Sequence, residues 1–304
     1  MGGHFPPPPR RVRLFAGGGR PQPSNAPAVS ALFDDEAVVR ARLRGRSRLP
    51  DSRLRGLAVG AGVCLVERLQ DLSLSFARPV DFASHSSLDA APWVINGVDL
   101  SPTRIGIDSV PGDFPEGGAD LIVSHLALHL VNDLGGMLRF LRGVLSPDGL
   151  LLASFPGPQT LSVLRRVLME AEMKVTGGVS ARVAPFPGME DLGRLVLGAG
   201  FTLPVLERDV MRGYWGSARD LMYELRDEGV TNSLVMRRRG FTRRGVFEEA
   251  EVLWGELGGE EEFEVIYVAA WSPGEGQQRA MLPGSARGSL AAALGSDISD
   301  ESVR

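Results

Sequence analysis

The sequence predicts an α/β layered fold built on a mostly parallel sheet. Three observations lead there. Short apolar runs alternate along the chain with segments whose apolar residues recur every three or four positions, the strand–helix alternation of a parallel sheet with crossover helices. Asp120-Leu121-Ile122-Val123-Ser124 is short and continuously apolar between polar ends, as a strand buried on both faces would be. The 304 residues, 43% of them apolar and 23% charged, suffice for a domain with a sizeable core.

Residues 1–33 hold Pro6 to Pro9, Pro21, Pro23, Pro27, the run Gly17-Gly18-Gly19 and no acid, so a disordered tail is expected. Arg10, Arg11, Arg13 and Arg20 would suit an organelle presequence, but four consecutive prolines break the amphipathic helix such a signal needs. Residues 34–50 read as an arginine-rich linker, with Arg40, Arg42, Arg44, Arg46 and Arg48 at every second position and Arg53 and Arg55 beyond it. A single main domain is expected at 51–272, followed by a Gly-, Ser- and Ala-rich flexible tail at 273–304.

Within the domain, Val63, Val66, Leu69 and Leu72 mark a helix over 63–74. Pro79 to Ala83 reads as a buried strand, and Trp93 to Leu100 as a second strand ending at Asp99. After the strand at 120–124, Asn132 or Asp133 can cap a helix striped by Leu134, Met137, Leu138, Leu141, Val144 and Leu145. Pro147-Asp148-Gly149 turns the chain into a strand at 150–154. Leu161, Leu164 and Leu168 mark one further helix, and Leu192, Leu195, Val196 and Ala199 another, with Gly200 at its end. A weak strand at 205–210, a capping-box approximation at Ser217 to Asp220 and a last strand at 264–271 complete the alternation. The acidic residues Glu260, Glu261, Glu262 and Glu264 offset part of the basic run.

The counts exclude several classes. No run reaches the roughly 20 apolar residues of a membrane-spanning helix. The one cysteine, Cys64, permits no intrachain disulfide. A net charge of −4 argues against broad nucleic-acid binding. His125 and His129 stand four apart, a metal-ligand spacing on a helix, but no third ligand accompanies them and no metal is expected.

Open α/β sheets bind ligands beyond the carboxyl ends of their strands, where strand order reverses. The candidate positions are therefore Asp81, Ala83, His85 and Ser87 after the first strand, Asp99 and Leu100 after the second, and Ser124 and His125 after the third. Asp99 could bind two hydroxyls through its two carboxylate oxygens, or it could start a turn before Ser101-Pro102.

These stretches, in this order, resemble a class I S-adenosyl-L-methionine-dependent methyltransferase. The resemblance covers roughly 31–295 and is closest to the complex I assembly factor 5 branch, methyltransferase-like arginine hydroxylases with alphaproteobacterial relatives. That branch neighbours the malonyl-carrier-protein methyltransferases of biotin synthesis. It is carried by Leu32-Phe33-Asp34, by 120–134 with its Leu128-His129-Leu130-Val131-Asn132-Asp133-Leu134 stretch, and by Leu145-Ser146-Pro147-Asp148-Gly149. Gly177-Gly178-Val179-Ser180, Ala184-Pro185-Phe186-Pro187, Asp191-Leu192-Gly193, Gly200-Phe201, Gln277-Gln278 and Pro283-Gly284-Ser285 extend it.

The resemblance implies a Rossmann-like, mostly parallel seven-stranded sheet with helices on both faces. It implies S-adenosyl-L-methionine as cofactor, Asp81 as the first-motif acid, Asp99 on the ribose, and Ser124 and His125 toward the transferred methyl or the acceptor. His129 and His125 are the candidates for a catalytic role. Ala83, His85 and Ser87 stand where the family has glycines, so a Cβ intrudes there and any positive φ is strained. The segment between Asp99 and Asp120, which in the family supplies a third strand and an acid near the adenine, is short, with Ile107-Asp108 and Asp113 its only obvious remnants. The expected function is methyl transfer to a protein or small-acid acceptor. The alternatives are a catalytically silent assembly factor and a protein-arginine hydroxylase acting on a respiratory-complex subunit. The expected location is a bacterial cytoplasm, with the mitochondrial matrix as the alternative.

Overall fold

The computed structural model describes residues 31–47, 53–70, 74–85, 94–95, 98–106, 110–275 and 277. Residues 1–30 of the tail expected at 1–33, residues 278–304 of the tail expected at 273–304, and Ser87 and Asp108 lie outside them.

Helix α1 (Asp35–Ser47) opens the fold, followed by α2 (Arg53–Gln70) and strand β1 (Pro79–Phe82). Two short strands, β2 (Val94–Ile95) and β3 (Val98–Asp99), pair antiparallel as a separate ribbon. Then come β4 (Thr103–Ile105), β5 (Ala119–His125), α3 (Leu134–Val144), β6 (Leu145–Pro156), α4 (Ser162–Thr176) and α5 (Met189–Gly198). Finally β7 (Thr202–Tyr214), α6 (Ala218–Asp227), α7 (Arg244–Glu256) and β8 (Glu260–Trp271) close the chain's sheet.

The main sheet has the order β4-β1-β5-β6-β8-β7. Pairings from β4 through β6 are parallel, while β8 runs antiparallel to both β6 and β7. Strand side chains alternate between faces. Leu121 and Val123 thus pack under α2 with Leu65 and Leu69, whereas Ile122 packs on the other face with Leu138, Leu141 and Val196 from α3 and α5. A third apolar cluster, with Trp215, Trp254 and Leu221, joins α4, α6 and α7. This is a Rossmann-like α/β architecture, with six main-sheet strands among the described residues where seven were expected.

Local chemistry explains the ends. Asp133 caps α3 by accepting the Gly136 N–H at 2.7 Å, and Ser217 caps α6 by accepting that of Asp220 at 3.0 Å. No side chain of its own caps α4. Instead Glu261, fully buried in β8, accepts the N–H groups of Val163 and Leu164 at 3.2 and 2.7 Å.

Three expectations need correction. Residues 34–50 are not a linker: Asp34 accepts the Ala37 N–H, Asp35 and Glu36 occupy the favourable first turn, and α1 runs to Ser47. Phe33, placed in the tail, is 4% exposed and bridges to Leu234. The second main-sheet strand is β4, not 93–100; Asp99 lies in the separate ribbon, four positions before β4 begins. Within the acidic run, Glu261 and Glu264 are buried and each accepts a backbone N–H.

Candidate functional site

Strand β1 sits between β4 and β5, so the chain leaves it in one direction and returns on the other side. That reversal creates the crevice in which such sheets bind ligands. Two strained residues line it. Ala83, just after β1, has φ 54°, and Leu126, just after β5, has φ 46°. Left-handed backbone is uncommon outside glycine, and a bulky leucine there marks a position the surroundings hold in place. The Arg42 guanidinium of α1 donates to both turns at once, to the Ala83 carbonyl at 2.7 Å and the Leu126 carbonyl at 2.9 Å.

Several expected site residues meet around this bridge. Asp81 is buried at 7% exposure, 3.8 Å from Arg104 on β4. Ser84 Oγ accepts the His125 N–H at 2.9 Å, tying the two turns together. His85 contacts the Glu228 carbonyl through Nε2 at 3.0 Å. Ser124 is fully buried at the end of β5, and its hydroxyl has no hydrogen-bond partner among the described residues. Leu100 does not reach this crevice; it is buried in the layer beneath α2.

The two histidines do not share a helix face. His125 ends β5 and is wholly buried, its Nδ1 2.7 Å from Ser154 Oγ and its Nε2 3.0 Å from the Ala58 carbonyl. Burial, helped by nearby His85, pushes its pKa down to about 3. Its ring nitrogens are already engaged, so it is a packed structural imidazole. His129 lies in the single helical turn Leu128–Leu130, edge-on to Phe186 at 5.8 Å. Its Nδ1 is buried without a hydrogen-bond partner among the described residues. Desolvation, with the nearby Arg42 charge, lowers its pKa to about 3 as well.

His129 faces a cavity of about 440 Å³, within the roughly 300–1,000 Å³ usual for small-molecule sites. Its wall is mostly apolar, with Leu161, Phe186, Met222 and Phe263 among the lining groups, and Arg42 and His85 border it from the crevice side. Buried Glu172 shapes one flank, accepting from Ser180 and from Arg182, which also lines the cavity. Burial alone would raise the Glu172 pKa, but those hydrogen bonds and the Arg182 charge bring it down to about 2.

Asn132 explains part of the stretch at 128–134. Its Oδ1 accepts the Phe33 N–H at 2.8 Å, and its amide donates to the Phe33 carbonyl and to Asp35, both at 3.0 Å. Asn132 therefore clamps α1 over the crevice while Asp133 caps α3. Arg42 was not separable in sequence from the arginines around it. Glu172 carried no motif at all, because its partners are brought to it by the turn after α4.

No family model matches the chain. Over 285 residues it is 31% identical to the arginine-hydroxylase NDUFAF5, mitochondrial, of Danio rerio, spanning 86% of this chain and 88% of that protein. The Dictyostelium discoideum protein of the same name is 34% identical over 199 residues, covering 62% of this chain but 45% of the relative, less than half its length. A malonyl-[acyl-carrier protein] O-methyltransferase of Xylella fastidiosa is 34% identical over 163 residues, 52% of this chain and 53% of that enzyme.

Proposed function

Since this chain belongs to the family of methyltransferase-fold proteins that includes those named arginine-hydroxylase NDUFAF5, we propose that its crevice binds S-adenosylmethionine and its cavity admits the acceptor side chain of a protein. The carrying observation is the paired Ala83 and Leu126 carbonyls, which converge on one cation at the switch point. The cofactor is itself cationic, and Arg42 stands in for a positive group there. The left-handed Ala83 keeps the turn that a glycine would make, and the Ser124 hydroxyl remains to be satisfied. The residues present therefore fit the cofactor.

When bound, S-adenosylmethionine supplies an already activated methyl group, so the protein needs alignment more than acid–base chemistry. The Ala83–His85 turn, the Leu126 carbonyl and Ser124 would hold it. His129, kept neutral by its surroundings, is a poor base and a good hydrogen-bond partner. Its role in this reading is to orient the acceptor at Nδ1. The apolar wall excludes water. Because β4, not β3, flanks β1, an acid after Ile105 such as Asp108 competes with Asp99 for the ribose, and alanine at each position separates the two by its effect on cofactor affinity.

A second reading, hydroxylation of a protein arginine, draws on the relatives' printed name and on Glu264. That buried carboxylate lines the cavity and already pairs with a guanidinium, Arg208, at 3.6 Å. Peptide mass spectrometry of source cells with and without the chain tests both. A peptide gaining the mass of a methyl group supports the first reading and one gaining an oxygen the second. No chain-dependent change in any peptide would contradict both.

A further inference from the structure

The cavity beside His129 extends well beyond the strand ends. Leu57 of α2, Leu164 and Leu168 of α4, Leu225 of α6, Met211 of β7 and Phe263 of β8 all line it. A single acceptor side chain needs only the His129 end, which Arg42 and His85 border from the crevice. The remainder is an apolar chamber between the sheet and the helices. Protein interiors close-pack, and an unfilled apolar space of about 440 Å³ forfeits contacts that a core would otherwise make. Even smaller apolar cavities stay dry and take up apolar molecules. The chamber therefore has the character of a ligand site.

The charges in the wall are matched within the protein. Arg42 donates to two carbonyls, and Arg182 is held by Glu172. Glu264 accepts the Gln159 N–H at 2.8 Å and faces Arg208 at 3.6 Å, and Glu228 is engaged as well. Arg226 lies exposed to solvent. A charged guest lodged in the chamber would lack a counter-charge, and burying an unpaired ion is costly. One polar group differs. Of the lining side chains among the described residues, His129 alone has a buried polar atom, Nδ1, without a hydrogen-bond partner. Desolvation keeps its ring neutral, so Nδ1 suits a hydroxyl or a carbonyl.

We propose that this cavity is a binding site for an uncharged apolar small molecule that carries one hydrogen-bonding oxygen. The apolar body fills the chamber beneath α2, α4 and α6, and the oxygen meets His129 Nδ1. An apolar wall with a single placed polar group is the usual design of a small-molecule site: the wall gives affinity and the polar group fixes orientation. The proposal goes beyond the reading above, in which an acceptor side chain occupies the His129 end. It holds whether or not the crevice binds S-adenosylmethionine, because the guest is read out without cofactor.

The test titrates the full-length chain with N-phenylnaphthylamine, an uncharged dye that fluoresces in apolar surroundings. A saturable rise in emission is expected, insensitive to salt and accompanied by a higher melting temperature. Naphthol should displace the dye about three- to tenfold more strongly than methylnaphthalene, since only the first carries a hydroxyl. His129→Phe should erase that preference and still bind the dye. Met222→Trp puts a larger side chain at a half-buried position in the wall. It should weaken dye binding by about tenfold or more without lowering the melting temperature. The proposal is overturned by no saturable dye binding to the wild type, or by a folded tryptophan variant that binds like it. It is equally overturned by no naphthol preference, or by one that survives His129→Phe. Displacement by N-acetylarginine amide or naphthoate in preference to naphthol would also overturn it and assign the cavity to a charged guest.

Discussion

Ala83 and Leu126 hold left-handed backbone at adjacent strand ends, and their carbonyls meet on Arg42. For a non-glycine residue that conformation costs about 1–2 kcal/mol. Ala83→Gly removes the strain but adds chain entropy to the unfolded state, about 0.4–1 kcal/mol. The two nearly cancel, and the melting temperature should change by no more than a few degrees. Ala83→Val keeps φ positive on a β-branched residue at 8% exposure and should lower the melting temperature sharply. Equal behaviour of the two variants in a thermal melt would show that the turn is not strained. His125 gives a pH prediction. Its ring protonates near 6.5 when unfolded and resists to about 3 in the fold. Between those values the unfolded chain binds more protons, so stability falls as pH drops through that window, by up to about 1.4 kcal/mol per unit. Glu172, with its pKa lowered from 4.5 to about 2, adds its own loss only below about 4.5. Urea unfolding between pH 7 and 5 should therefore show an acid slope that His125→Asn reduces; an unchanged slope would mean that the ring is protonated in the fold.

At the scale of elements, long-range contacts decide what local pattern leaves open. Helix α4 begins at a left-handed Leu161 with no cap of its own and depends on Glu261 from β8. Glu261→Ala should cost about 1–2 kcal/mol in denaturant unfolding, as loss of a cap does; a wild-type midpoint would show that water replaces the carboxylate. Helix α1 docks through close backbone approach. A Cβ on Gly229, whose φ is +78°, would meet the Ala41 carbonyl at 2.5 Å. Gly229→Ala should therefore raise hydrogen exchange across 35–47, and unchanged exchange there would remove this contact as the reason α1 stays put. Such dependencies limit what was legible beforehand. The strands at 79–82 and 119–125 and the helices α3, α4 and α5 carry their own apolar periodicity and could be read directly. Helix α1 could not, because its arginines conceal the few apolar residues that dock it. Helix α7 carried no recognised start signal: Arg243 precedes it without a side-chain cap. Strand β4 is three residues long, with Thr103 and Arg104 exposed, and shows no pattern of its own; its place at the edge follows from pairing with β1.

For the whole molecule, strand order follows from alternation, and the crevice follows from strand order. That much was readable, and it led to Asp81, Ala83, His85, Ser124 and His125 before any coordinates. The cation bridge across the crevice was not, because it joins α1 to turns 41 and 84 residues away. Nor was the cavity, which α1, α4, α6 and the segment around Arg182 enclose together. The central claim is that the paired carbonyls bridged by Arg42 form a site for a cationic ligand. Titration calorimetry with S-adenosylmethionine, on the wild type and on Arg42→Gln, tests it most directly. The account predicts saturable binding by both and tighter binding by the variant, since the ligand no longer has to displace a guanidinium. Absence of heat in both proteins at millimolar cofactor, with both folded by circular dichroism, would contradict it.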